Sequence, residues 1–214
     1  MIEINENYII SCGIDTKMKI WKKNKKDMNF LCIDTLTVNE KYGSSTNILK
    51  INENEIVSAA TQANYIIFWE PNTPKAIKKI DNIVCHWNRN SMKMINKTTL
   101  FIGGDEYYGI YLINIENYQV FSFLANNNIV SISAIIKLSN GNILIGCQQE
   151  SISDEENIMH SYSLIEYKYN YNGKSLTKVK SNNKTHENII TGLLAMNNGE
   201  IISCSLDMEI KFWI

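Results

Sequence analysis

The sequence predicts an all-β chain of repeated four-stranded antiparallel units: a β-propeller of about five blades, the first and last incomplete. Three observations carry this expectation. A short motif recurs at a nearly constant period, a second strand follows each copy at the same phase, and β-branched residues are abundant throughout the 214 residues. No window keeps a 3.6-residue apolar stripe for three turns, which argues against helix.

The motif begins with an apolar residue, passes through a tight polar turn and enters a short apolar strand. It reads INENYIIS from Ile4, INENEIVS from Ile51, INKTTLFIG from Ile95, LSNGNILIG from Leu138 and MNNGEIIS from Met196. The first three intervals match a blade, and the last matches a blade plus an insertion. Asn140-Gly141 and Asn198-Gly199 suit hairpins, because both residue types reach positive φ cheaply.

A second strand is expected at Met18–Trp21, Tyr65–Trp69, Ile110–Ile113, around Tyr162–Ile165, and at Ile210–Trp213. Alternation is clearest in the first and last. A third follows at Asn29–Ile33, Ala76–Ile80, Gln119–Phe123 and Ser175–Val179, and another precedes each later motif. Such sheets bury their faces only by stacking on neighbours. A β-sandwich has no reason to repeat this order with a terminal Trp at one phase.

The resulting boundaries are a partial blade 1 at 1–35, then blades at 36–80, 81–123 and 124–180, and a partial blade 5 at 181–214. On this reading the chain opens at the second strand of one blade and stops at the third strand of another, about 18 strands in all. It is therefore expected to belong to a larger chain or assembly.

Blade 5 resembles a WD repeat in its residues as well as its length. His186 precedes the innermost strand, Ser203 lies on the second, Asp207 occupies the next turn and Trp213 follows that Asp by six residues. The resemblance implies a hydrogen-bonded chain tying loop, turn and strands together, with a structural and not a catalytic role. Its physical logic is general, since an imidazole can bridge a carboxylate to a hydroxyl and a buried indole N–H needs an acceptor. Blade 1 keeps Ser11, Asp15 and Trp21, and blade 2 keeps Ser58 and Trp69 with one residue inserted and Ala63 at the Asp position. Blade 3 places Gly103, Asp105 and Ile113 in the comparable region, and blade 4 loses the pattern.

Composition limits function. The net charge is −1 and the pI about 6.3, so no global positive field gathers nucleic acid or anionic lipid. Lysine far outnumbers arginine, represented by Arg89 alone, and asparagine is frequent, a bias spread along the whole chain. The five cysteines are an odd number without a CxxC pair, which points to a reducing intracellular compartment, cytoplasm or nucleus. Neither a secretory signal nor a stretch of about 20 apolar residues is present.

Cys12 and Cys204 share a phase and read as small core residues. Cys85 and His86 are adjacent, so on a strand they point to opposite faces and make a poor ligand pair. His160 has no partner at ligand spacing. Phosphate-loop, HExxH and GxSxG motifs do not occur, and no catalytic residue, metal or cofactor is assigned.

Three surface features are candidates for contact. Lys22, Lys23, Lys25 and Lys26 are read as a hairpin tip able to touch phosphate or an acidic partner. Residues 148–157, with Asp154, Glu155 and Glu156, are read as an acidic loop projecting from blade 4. Tyr107 and Tyr108 lie in the corresponding turn of blade 3, and Tyr167, Tyr169 and Tyr171 run along blade 4; tyrosines can anchor interfaces. The expected function is a non-catalytic scaffold for protein or peptide partners. The alternatives are a targeting or regulatory module of a larger enzyme, an enzyme with an axial site, and lipid or nucleic-acid binding.

Overall fold

The computed structural model describes residues 1–13, 15, 17–26, 29–37, 46–60, 64–71, 75–86, 89–104, 109–123, 128–152, 158–170 and 175–214. They form two compact units, Met1–Trp87 and Asn88–Ile214.

The first unit holds two four-stranded antiparallel sheets. Blade 1 is β1 (Ile2–Asn5), β2 (Tyr8–Cys12), β3 (Lys17–Lys23) and β4 (Phe30–Thr37); blade 2 is β5 (Thr46–Asn52), β6 (Glu55–Ala60), β7 (Tyr65–Glu70) and β8 (Lys75–Asp81). Each sheet follows chain order. Ile10, Met18 and Ile20 of blade 1 meet Ile48, Ile56 and Trp69 of blade 2 in one buried cluster.

Blade 1 is thus complete, not partial. The strand missed by the sequence reading is β1, four residues that pair Ile2 with Ile10 and Glu3 with Ile9. Only Ile4 in it is buried, which is why it gives almost no hydrophobic signal.

The second unit opens with a 3-10 turn at Arg89–Ser91. Blade 3 then comprises β9 (Met92–Met94), β10 (Thr99–Gly103), β11 (Ile110–Asn114) and β12 (Gln119–Phe123). Blade 4 comprises β13 (Ile129–Lys137), β14 (Ile143–Ile152), β15 (Ile158–Asn170) and β16 (Ser175–His186). Three strands form blade 5: β17 (Ile190–Ala195), β18 (Ile201–Ser205) and β19 (Ile210–Trp213). The described strands number 19, one more than expected, and the addition is β1.

Alternation along the strands divides each sheet into two faces. In blade 4, Ile143, Ile145 and Cys147 pack with blade 3, whereas Ala134, Ile136, Leu144 and Leu164 pack with blade 5. Glycine permits close approach at both seams. A Cβ on Gly103 would stand 2.6 Å from Ile132 Cγ2, and one on Gly146 would stand 2.8 Å from Ile190 Cγ2. In both seams, the first strand of the later blade places an isoleucine in the space a side chain would otherwise fill.

The first hairpin turn of each blade has one device. The side-chain oxygens of Asn5, Asn52, Asn96, Asn140 and Asn198 each accept the backbone N–H two residues on, at 2.7–3.1 Å. This is the Asx turn, in which asparagine imitates a backbone carbonyl. At these five turns the asparagine bias therefore has a local structural role. Gly141 and Gly199 adopt φ of 86° and 94°, as their Asn-Gly context predicts.

Candidate functional site: the blade network and the exposed contact surfaces

Blade 5 brings together all four residues named for its network. His186 ends β16, Ser203 lies in mid-β18, Asp207 sits in the turn to β19 and Trp213 ends β19. The His186 Nδ1–H donates to Asp207 Oδ2 at 2.7 Å, Ser203 Oγ–H donates to His186 Nε2 at 2.7 Å, and Trp213 Nε1–H donates to Ser203 Oγ at 2.8 Å. This assignment is the one that satisfies every group.

Asp207 also accepts the backbone N–H of Glu187 and of Glu209, both at 3.0 Å. Burial pushes its carboxyl pKa up, but these two donors and the imidazole outweigh it and hold the group well below the usual carboxylate range. The neighbouring Ser205 Oγ donates to the Asn188 carbonyl and accepts the Asp207 N–H, fastening the same turn to the entering loop.

The order Asp207–His186–Ser203 copies the connectivity of an acyl-transfer triad. Access does not. Ser203 is 0% exposed, and its oxygen already accepts the Trp213 N–H. The cluster His186, Asp207 and Glu209 has potential ligand atoms within 4.8 Å of one another. Both His186 nitrogens and both Asp207 oxygens are, however, committed to protein hydrogen bonds, and Glu209 pairs with Lys211 at 2.8 Å.

The other blades retain fractions of this network. Trp21 Nε1 donates to Ser11 Oγ and Trp69 Nε1 donates to Ser58 Oγ, both at 2.8 Å. Asp15 accepts the Lys17 N–H at 3.3 Å. Ala63 and Asp105 lie outside the described residues. In blade 3 the strand register corrects the expected correspondence. Ile102, not Gly103, holds the Ser203 position, because Leu100 pairs with Ile113 as Ile201 pairs with Trp213. Gly103 corresponds to Cys204.

Of the acidic loop expected at 148–157, residues 148–152 are strand and 153–157 lie outside the described residues. β14 and β15 continue as a two-stranded ribbon, with pairs Gln148–Tyr162, Gln149–Ser161, Glu150–His160, Ser151–Met159 and Ile152–Ile158. The polarity of Gln148–Ser151, which is that of a loop, disguised this extension. His160 has partners that sequence spacing did not reveal: Gln148 Nε2 at 2.9 Å and a Glu150 carboxylate oxygen at 3.5 Å from its Nδ1. Ile158 and Met159 are 64% and 47% exposed on the ribbon. Asp154, Glu155 and Glu156 lie outside the described residues, as do Tyr107, Tyr108 and Tyr171.

Tyr167 does not serve as a surface anchor. It is buried between blades 3 and 4, with Tyr169 packed against the same cluster. Its hydroxyl has no hydrogen-bond partner among the described residues, and burial raises its pKa to about 12.

The lysine run is likewise rearranged. Lys22 and Lys23 are the last residues of β3, so only Lys25 and Lys26 lie in the turn. Lys22 Nζ sits 5.6 Å from the centre of the Tyr8 ring, a cation–π contact with the strand neighbour it pairs.

Cys85 and His86 lie in a connecting segment rather than a strand, and both are buried. Asn47 Nδ2 donates to the His86 carbonyl at 2.9 Å. Burial lowers the His86 pKa to about 4 and raises that of Cys147 to about 12. Cys12 and Cys204 are half-buried, not fully buried as expected. No helix among the described residues is long and apolar enough to cross a membrane.

No protein-family model and no curated protein sequence matches the chain. Solved structures do. One from a crystal structure of a Mitotic Checkpoint Complex superposes with a TM-score of 0.67 at 15% identity, over 98% of this chain and 59% of that one. The C-terminal WD40 domain of Sif2 gives 0.61 at 13% identity, over 98% and 55%. This chain has the WD40 β-propeller fold. The β-propeller domain of Myceliophteria thermophila Cps50 (Swd1) shares it, with a TM-score of 0.62 at 14% identity over 97% and 63%. The chain thus spans between about half and two thirds of the length of these WD40-fold structures.

Proposed function

We propose that the chain is a non-catalytic scaffold that holds protein or peptide partners, with the blade 4 ribbon as its principal contact element. The observation that carries this reading is the ribbon itself. β14 and β15 are 10 and 13 residues long, against 5 each for β10 and β11 and 5 and 4 for β18 and β19. Their outer ends present Ile158 and Met159 beside a Glu150–His160 pair. Apolar side chains flanked by hydrogen-bonding groups are the composition of a contact patch.

The blade 5 network supports a structural assignment for the one triad-like cluster, because its serine is closed to substrate. The Mitotic Checkpoint Complex structure, named as a complex, gives the scaffold reading a precedent in the same fold. As one structural part of a longer protein or assembly, the chain would contribute partner selection, and any chemistry would reside elsewhere.

The test is quantitative affinity capture or proximity labelling with wild-type protein and an Ile158→Glu/Met159→Glu variant. Both positions are exposed, so the fold should persist, as circular dichroism would verify. The variant should lose the principal partners by at least tenfold. An unchanged partner set would remove the ribbon from the proposal.

A further inference from the structure

β14 and β15 outrun their neighbours in the blade 4 sheet. They pair with each other as far as Ile152 and Ile158, whereas β13 follows β14 only to Gln149 and β16 follows β15 only to Tyr162, opposite His186. Beyond His186 the chain leaves the sheet, and the Glu187 N–H is donated to Asp207 Oδ2 in the blade 5 turn. Ile158–Ser161 therefore has β14 along one side and, among the described residues, no strand along the other. Nor does a described turn or loop bond to its backbone.

In an antiparallel strand the N–H and C=O of one residue point to the same side, and those of the next residue to the opposite side. Every second residue of Ile158–Ser161 thus aims its donor and acceptor at the open edge. Two strands that end a sheet, β8 and β16, carry exposed lysines there: Lys75, Lys78 and Lys79 on the first, Lys178 and Lys180 on the second. Such charge discourages a further strand from pairing. The run Ile158-Met159-His160-Ser161 has neither lysine nor proline.

The side chains match an edge contact better than a face contact. Ile158 and Met159 are both exposed, and as consecutive strand residues they point to opposite faces of the ribbon. A partner lying against one face would cover one of them, whereas a strand added at the edge sets its own side chains beside both. Glu150 lies opposite His160, with a carboxylate oxygen 3.5 Å from the imidazole, and so shares the face of Ile158. Lysine and arginine are absent from 148–152 and 158–161, so a basic residue on an added strand would meet a carboxylate and no like charge there.

We propose that the open edge of β15 at Ile158–Ser161 receives an extended segment of a partner protein as an added strand in line with β16. That segment carries adjacent aliphatic residues flanked by lysine or arginine. The proposal rests on the scaffold reading and names the form of partner the ribbon takes. Main-chain hydrogen bonds hold the segment, and the side chains on the two faces select it.

The test is amide hydrogen exchange of isotope-labelled wild-type protein, followed by NMR, with and without the acetylated and amidated peptide KTVIVTKT. Binding should slow exchange at least tenfold at every second amide from Ile158 to Ser161 and leave the intervening amides, which face β14, unchanged. Versions of the peptide N-methylated at alternate residues should divide by phase. Methylation of the nitrogens that face β15 should weaken binding at least tenfold, and methylation of the others should not. Ser161→Lys, which keeps Ile158 and Met159 and whose folding circular dichroism would verify, should weaken the unmodified peptide at least fivefold. Absence of binding at millimolar peptide, equal protection along Ile158–Ser161, or indifference to the phase of N-methylation would overturn the proposal. So would alternate protection that grows with protein concentration in the absence of peptide, which would assign the edge to a second copy of the chain. The scaffold reading fails separately, through captured partners that ignore Ile158→Glu/Met159→Glu. Loss of those partners without alternate protection by the peptide would keep the ribbon as a contact and remove the added strand.

Discussion

In blade 5 the entering loop, the second strand and the third are tied by hydrogen bonds running from Asp207 through His186 and Ser203 to Trp213. At the corresponding positions its neighbour, blade 4, has Gln149, Ile145 and Tyr167. There is no hydroxyl at 145 for an aromatic donor to reach, and the buried Tyr167 hydroxyl has no partner among the described residues. Blade 4 instead relies on apolar burial against both neighbours and on the space at Gly146 that admits Ile190. Two adjacent sheets with the same strand order thus obtain their geometry from different interactions. The polar chain specifies one arrangement, and shape matching can replace it at the cost of an unsatisfied hydroxyl.

The largest expected effect comes from breaking the polar side of this comparison. Ser203→Ala removes the oxygen that serves both His186 and Trp213, leaving the buried His186 Nε2 and the part-buried Trp213 Nε1 unpaired. A loss of about 2–4 kcal/mol is expected from the desolvation of such groups. Urea unfolding should register it, and hydrogen exchange should place the lost protection in β18 and β19 more than in β14.

Acid should separate the two blades by a smaller amount. The folded-state pKa of Asp207 is depressed, so its contribution to stability is complete above the ordinary carboxylate pKa of about 4 and declines as pH falls below that value. Exchange protection should decrease in blade 5 before blade 4 on acidification below about pH 4, and Asp207→Asn should abolish that difference. Equal loss in both blades would show that the network does not govern the response.

Repairing the apolar side should have the smallest effect, with the opposite sign. Tyr167→Phe deletes the unpartnered hydroxyl and keeps the ring, so stability should remain unchanged or rise by about 1 kcal/mol. Thermal unfolding would resolve it, and a loss exceeding about 1 kcal/mol would mean that the hydroxyl is satisfied after all.

What the sequence revealed depended on whether the information was local. The period, the Asn-Gly turns and the blade 5 network were legible because each is written in a few residues at fixed spacing. β1 was missed because IEIN buries a single side chain, and the ribbon was missed because Gln148–Ser151 has the polarity of a loop. The correspondence of Ile102 with Ser203 depends on which residues lie opposite each other across two strands. Spacing along one strand does not contain that relationship, and it moved the expected site by one residue. Burial of Tyr167 was equally nonlocal, since its neighbours in the cluster include residues of blade 3.

The turns at Asn140 and Asn198 also bear on how the protein ages. An asparagine followed by glycine is a chemically labile pair, because the next backbone nitrogen can attack the side-chain amide, release ammonia and close a five-membered ring. Here the Gly141 N–H is engaged by the Leu138 carbonyl at 3.0 Å and the Gly199 N–H by the Met196 carbonyl at 3.1 Å, while each asparagine oxygen holds the next amide along. The hydrogen bonds that shape these hairpins thus also hold the attacking nitrogen away from its target, and opening of the hairpin becomes the step that admits deamidation.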